Sequence, residues 1–165
     1  MIKIDFNKTC CFTGHRPEKL MGTEDYIRSR LAEEIWNAIN DGYTTFITGM
    51  APGVDTWAAQ EVMRQKAANS DIKMICAVPF KGVEKKRTQE EQALFNTILN
   101  AADMVEYICT KYQHWAFQAR DRWMVDHAAR VIAVFNGTHG GTAITINIAK
   151  EKERDIVMIE DGENV

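Results

Sequence analysis

Short runs of β-branched and aromatic residues alternate along this chain with longer stretches in which apolar side chains recur every three or four positions. The short runs predict strands at Thr9–Phe12, Thr44–Thr48, Ile72–Val78, Met104–Ile108, Arg130–Phe135 and Ile156–Ile159, the third stopped by Pro79. Between them, Glu24–Asn40 carries Ile27, Leu31, Ile35 and Ile39 on one helical face with Trp36 beside them, and Asp41-Gly42 ends that helix. Further helices are expected over Val54 to about Ala68, with Ala58 and Val62 inward, and over Thr88–Ala101, with Leu94, Phe95, Ile98 and Leu99 inward. Gln113–His127 and Ala143–Lys150 complete the set, and Lys81–Arg87 reads as a charged loop.

This alternation predicts an α/β fold, a doubly wound and mainly parallel sheet of about six strands with right-handed crossovers and helices on both faces. With no repeat, low-complexity tract or linker in view, residues 1–160 read as one domain and 161–165 as a flexible acidic tail. Ligands of such sheets lie beyond the carboxyl ends of the strands, where the winding reverses.

Three turns fall on that edge: Thr13-Gly-His-Arg-Pro17, Thr48-Gly-Met-Ala-Pro-Gly-Val-Asp55 and Asn136-Gly-Thr-His-Gly-Gly-Thr142. A turn that feeds a helix exposes unpaired backbone N–H groups and the positive end of the helix dipole, a setting that suits phosphate. Glycine at Gly14, Gly49, Gly53, Gly137, Gly140 and Gly141 removes side chains that would block an anion's approach. One phosphate site built from all three turns is the expectation.

Side chains around the turns extend it. Arg16 suits a charge-assisted bond to phosphate, with Thr13 and His15 beside it; the competing reading is a solvated loop in which His15 merely packs. Asp55 either satisfies N–H groups at the start of its helix or bonds a ribose hydroxyl. Thr142 adds a hydroxyl to the third turn, and a glycine pair there is also compatible with nothing more than a tight turn. The stretch from Gln118 to His127 concentrates Arg120, Asp121, Arg122, Asp126 and His127. Arg122 and Asp126 are spaced to pair on the surface, whereas Arg120 and His127 lie near the line of Trp123 and Met124 and point toward the sheet edge. Lys81, Lys85, Lys86 and Arg87 form either a basic flap or a solvated loop, and Tyr112 with Trp115 either stacks on a base or packs at a core or subunit interface.

Composition narrows the partners. The formal charge of −3 argues against a dedicated duplex-DNA binder. Cys10, Cys11, Cys76 and Cys109 lack C-x-x-C spacing and read as reduced core thiols. No secretion signal or membrane span is expected, which implies a cytoplasmic protein. Zinc-ligand spacing, the P-loop, the G-x-S-x-G elbow, paired glycosidase carboxylates and the GxGxxG fingerprint are not evident, so no metal and no cofactor is expected and hydride transfer is disfavoured.

Cys11-Phe-Thr-Gly-His-Arg-Pro17, the turn from Thr48 to Asp55, Arg120-Asp-Arg-Trp-Met-Val-Asp126 and Asn136-Gly-Thr-His-Gly-Gly-Thr142 together resemble the YoqJ/YpsA-like proteins, small bacterial and prophage members of the SLOG superfamily. The resemblance spans nearly the whole chain and implies a Rossmann-like fold. The superfamily includes the DNA-processing protein DprA, whose S/T-G-x-A-x-G-x-D turn is similar to Thr48–Asp55, the LOG nucleoside-monophosphate phosphoribohydrolases, and sensors of nucleotide or ADP-ribose-type signals. Its members are often dimers, which implies a homodimer here. The LOG motif, an arginine followed by P-G-G-x-G-T-x-x-E, falls on Arg120, Gly141 and Thr142, but its glutamate falls on Thr145. Threonine supplies no carboxylate for acid/base work. The resemblance therefore implies a sensor or sequestering protein that binds a nucleotide-type small molecule, such as an ADP-ribose, an NAD-like molecule or a nucleoside monophosphate. Two alternatives stand beside it: a nucleotide N-glycosidase with Asp121, Asp126 or Glu61 in place of the glutamate, and a DprA-like single-strand nucleic-acid module.

Overall fold

In the computed structural model, which describes residues 2–162, the apolar runs become six parallel strands. They are β1 (Thr9–Gly14), β2 (Thr45–Thr48), β3 (Lys73–Phe80), β4 (Met104–Cys109), β5 (Arg130–Phe135) and β6 (Asp155–Glu160), in the spatial order β4-β3-β2-β1-β5-β6. The helices are α1 (Glu24–Asn40), α2 (Val54–Ala68), α3 (Gln89–Ala101), α4 (Ala116–His127) and α5 (Gly141–Glu151). The architecture is α/β and Rossmann-like.

The period of two in a strand explains why these runs are apolar throughout. Cys10 and Phe12 of β1, with Phe46, Met74 and Ile132, face a core built by Ile27, Leu31 and Ile35 of α1, Ala58 and Val62 of α2, and Phe95 and Ile98 of α3. The intervening Cys11, Ile47, Ile75 and Val131 face the opposite core, with Met124 and Val125 of α4 and Ile148 and Ala149 of α5. Truncating a fully buried ring such as Phe46 to alanine costs about 3–5 kcal/mol.

Local chemistry sets the helix ends. The Thr23 side chain accepts from the Tyr26 N–H at the start of α1, where Glu24 and Asp25 meet the positive dipole end. At α3, Thr88 and Glu91 satisfy each other's backbone N–H groups in a capping box. α4 begins at Ala116 rather than Gln113, since its cap position, Trp115, offers no side-chain acceptor and the Ala116 N–H closes a turn onto the Gln113 carbonyl at 3.0 Å. α5 begins at Gly141, ahead of the apolar periodicity that starts at Ala143.

Pro79 does not stop β3, which continues to Phe80. The register of β2 with β3 ends at Thr48 opposite Cys76, while Val78 and Phe80 still pair with Tyr107 and Cys109 of β4. One side of the strand is already open there, and a missing N–H breaks no ladder. At the other end of the chain, Asp161 is buried and accepts from the Met21 N–H at 3.0 Å, so the segment after β6 is anchored as far as that residue. Residues 163–165 of the acidic tail lie outside the described residues. Among the described residues no helix is long and apolar enough to cross a membrane.

β1 to β4 are laid down in one direction, after which α4 carries the chain back so that β5 pairs with β1 and β6 continues outward. The winding reverses between β1 and β5, and the loops leaving those strands diverge to opposite faces. A crevice at their carboxyl ends is the geometric consequence.

Candidate functional site

That crevice is a cleft of about 260 Å³. The first turn lines it with Thr13, Gly14, His15 and Arg16, the second with Ala51, Pro52 and Asp55, and the third with Gly140, Gly141 and Thr142. From α4 come Phe117, Arg120 and Asp121, and Arg87 enters from the charged loop before α3.

Hydrogen bonds hold the first and third turns together. The Asn136 N–H donates to His15 Nε2 at 3.4 Å, and the Asn136 Nδ2 donates to the Lys19 carbonyl at 3.0 Å. The His15 ring is buried and stacks on Phe135 with centroids 5.5 Å apart. Burial lowers its pKa, Asp161 opposes that shift and Lys19 adds to it. A neutral imidazole that accepts from a backbone N–H fits this setting.

The second turn is tied to α2 and α4. Thr48 Oγ1 donates to the Asp55 carbonyl at 2.9 Å, and the Ala51 N–H donates to Asp55 Oδ2 at 3.2 Å. Asp55 thus caps the loop ahead of its helix rather than the first helical turn. Met50 adopts φ 64°, a conformation costly for a side chain and held here by its N–H donating to Thr48 Oγ1 at 3.3 Å. Gly49 admits no substitute without movement, because a Cβ there would lie 2.7 Å from Asp55 Oδ2 and 3.1 Å from Arg120 Cδ.

Arg120 is buried beside it. Its Nη1 donates to the Gly49 carbonyl at 2.6 Å, its Nε donates to Asp121 Oδ1 at 2.7 Å, and its guanidinium lies 5.8 Å from the centre of the Phe117 ring. Burial pushes the Asp55 carboxyl up to about 6; Arg120 pulls it down and Asp121 pushes it further up. The cleft therefore holds one carboxyl raised by burial beside one ion-paired with arginine.

Arg16 is exposed at the mouth. Among the described residues neither Arg16 nor Arg87 makes an ion pair. Burial lowers the pKa of Arg87, Glu91 opposes this, and the charge of Arg16 adds to the lowering. At the third turn Gly140 has φ 147°, and space in front of both Gly140 and Gly141 is open to beyond 4 Å. The first N–H groups of α5, which begins at Gly141, have no partner within the helix.

Other candidates lie elsewhere. Gly137 is exposed and does not line the cleft, and Gly53, with φ 86°, sits beneath Pro17 on a neighbouring cavity. Asp126 does not pair with Arg122; its partner is Lys152 after α5, away from the cleft, because it lies more than one helical turn beyond Asp121. His127 stacks on Trp123 and its Nδ1 contacts the Trp123 carbonyl at 2.7 Å, again outside the cleft. Glu61 pairs with Arg64 on α2, and Thr145 is buried with its hydroxyl donating to the Gly141 carbonyl at 2.9 Å. Lys81, Lys85, Lys86, Tyr112 and Trp115 are absent from the walls. Lys19 and Phe117 also line the cleft, and neither belongs to one of the turn motifs. Among the described residues no group of three or more His, Cys, Asp or Glu is placed to hold a metal ion.

The chain is 31% identical over 118 residues to the uncharacterized SPbeta prophage-derived protein YoqJ of Bacillus subtilis (strain 168), covering 64% of this chain and 69% of that one. It is 27% identical over 169 aligned positions to a UPF0398 protein of Macrococcus caseolyticus, covering 93% and 92%. Its fold is similar to DNA processing protein A (DprA) from Streptococcus pneumoniae, with a TM-score of 0.62 at 17% identity, covering 93% of this chain and 50% of that one. DprA from Helicobacter pylori, described for its single-stranded DNA binding mode, gives a TM-score of 0.63 at 16% identity, covering 94% and 66%. The chain thus spans half to about two thirds of those DprA chains, and at such identity the likeness is one of fold. The profile of the family described as the YspA SLOG family (YpsA) matches residues 10–160. The chain belongs to the YpsA family of SLOG proteins.

Proposed function

We propose that the cleft binds a nucleotide or nucleotide-derived molecule through its phosphate and ribose, and that the protein senses or sequesters this ligand. The observation that carries the reading is the meeting, in one crevice at the reversal of winding, of three strand-end turns with two arginines, Arg16 and Arg87, that make no ion pair among the described residues. Gly141 and Thr142 offer backbone N–H groups at the start of α5, and Arg16 and Arg87 supply the charge. Arg120 spends two donors on Gly49 and Asp121 and keeps the rest of its guanidinium for the ligand. Asp55 and Asp121 are acceptors for ribose hydroxyls. Calorimetric titration with AMP, NAD and ADP-ribose tests the reading: uptake of at least one, weakened about tenfold or more in Arg16→Ala, is expected, and no uptake of any overturns it.

A second reading draws support from the two cleft carboxylates, Asp55 and Asp121. A carboxyl raised by burial to about 6 suits general acid/base work, here addition of water across the N-glycosidic bond of a nucleoside monophosphate to give free base and ribose 5-phosphate. Base release from AMP that is lost in Arg120→Ala would establish it over binding alone. The fold likeness to DprA supports a nucleic-acid variant of the same site, in which the phosphate belongs to a single strand; retention of labelled single strands that falls with salt would mark it.

A further inference from the structure

Resting on the proposed phosphate and ribose site, we infer that a second cavity, across the second turn, takes the base of the same nucleotide and that this base is a purine. The cavity measures about 330 Å³ and lies over the α1, α2 and α3 face of the sheet. Pro52 and Arg87 line both spaces, so the two are separated by one turn and one side chain.

The walls differ in the way a nucleotide requires. Those of the cleft are turns, arginines and carboxylates, with Phe12, Phe117 and His15 as its rings. His15 is already stacked on Phe135, and Phe12 on Phe46. The cleft alone also falls below the roughly 300–1,000 Å³ usual for a small-molecule site, whereas the two together fall within it. The second cavity is lined by Trp57, Phe95, Leu94 and Met50, together with the charged Glu24, Arg28 and Glu91. Flat and apolar walls of this kind suit a heterocycle that stacks.

Arg87 links the halves. Its guanidinium lies 5.3 Å from the centre of the Phe95 ring in the second cavity, while its charge is felt together with those of Arg16 and Arg120 in the first. A planar cation in that position presents N–H groups to phosphate on one side and a stacking face on the other. Arg28, 5.7 Å from the Trp57 ring centre, is held by Glu24 and Gln60 and closes the far wall. A cavity of this volume is better filled by a two-ring than by a one-ring base.

The test compares ribose 5-phosphate with AMP and GMP by calorimetry on the full chain, and follows the Trp57 indole N–H by NMR, assigned through its loss in Trp57→Phe. The purine nucleotides are expected to bind about tenfold or more tightly than ribose 5-phosphate and to shift the Trp57 signal, which ribose 5-phosphate leaves in place. Leu94→Trp, which fills the cavity, and Glu24→Trp, which narrows it from the exposed rim, should each abolish most of that gain while leaving ribose 5-phosphate binding unchanged. Ribose 5-phosphate binding with no gain from the base, or a Trp57 signal unmoved by AMP, overturns the inference and leaves the phosphate site standing. Failure of all three ligands to bind overturns both.

Discussion

Arg120 Nη1 donates to the carbonyl oxygen of Gly49 at 2.6 Å, joining the helix on one face of the sheet to the turn that leaves β2. The bond also fixes where the remaining guanidinium donors point. Arg120→Met keeps much of the packing over Phe117 but leaves the Gly49 carbonyl and Asp121 without this cation. A loss of about 3 kcal/mol in urea unfolding is expected, along with ligand binding. Arg16→Ala is the contrast: Arg16 is exposed and makes no ion pair among the described residues, so stability should change by less than about 0.5 kcal/mol while affinity falls about tenfold or more. Unchanged affinity in Arg16→Ala, measured by calorimetry, would remove that residue from the site.

Asp55 gives the protein a signature in pH. Burial raises its folded pKa from the ordinary 3.8 to about 6, so between those values the native state holds a proton that the unfolded chain has released. Stability from this group is therefore full below about pH 4, is lost as pH rises through about 6, and is level above. The span is on the order of 3 kcal/mol. Asp55→Asn, which cannot ionise, should become more stable relative to the parent as pH increases from 4 to 7, in urea midpoints taken at half-unit steps. A constant difference between the two proteins across that range would contradict the buried, proton-holding carboxyl.

Gly141 separates stability from binding. Its backbone does not have the positive φ of Gly140, and a Cβ there would meet nothing within 4 Å. Gly141→Ala should leave thermal stability unchanged or raise it by about 0.4–1 kcal/mol through the unfolded chain, yet the added methyl stands where a phosphate would approach α5. Weaker binding with undiminished stability is the expected pair of results. In Gly140→Ala the φ of 147° should instead cost about 1–3 kcal/mol.

Much of this architecture is legible from residue spacing. Ile27, Leu31 and Ile35 mark α1 by their helical period, and Arg130–Phe135 is read directly as β5 because it is apolar on both faces, Ile132 toward one core and Val131 toward the other. Pro79 misleads because its tolerance depends on where a neighbouring strand stops, which spacing along one strand does not carry. The turns are visible through their glycines and their position at strand ends. Lys19 and Phe117 are not, since they reach the cleft only through the docking of separate segments. Asp121 and Asp126 illustrate the same point: both belong to one charged helix, but only the first faces the cleft, while the second meets Lys152. The cavity around Trp57 is a product of three helices meeting, and no single stretch of sequence announces it.

The cysteines give a reading of the native state as a whole. Cys10, Cys11 and Cys76 are buried in central strands, and burial raises each thiol pKa, that of Cys76 to about 12. Cys10 and Cys11 are neighbours in sequence yet face opposite cores, so their side chains diverge. Reaction with a disulfide reagent requires a thiolate and an approach path, and these three thiols lack both at neutral pH. In the folded protein they should react at rates set by opening of the sheet, and all should react at once in denaturant. Counting released chromophore with and without urea measures this. Ligand that binds only the native state should slow the buried fraction further, in proportion to the stability it adds. A nucleotide that occupies the cleft but leaves these rates untouched would mean that the carboxyl edge opens independently of the central strands.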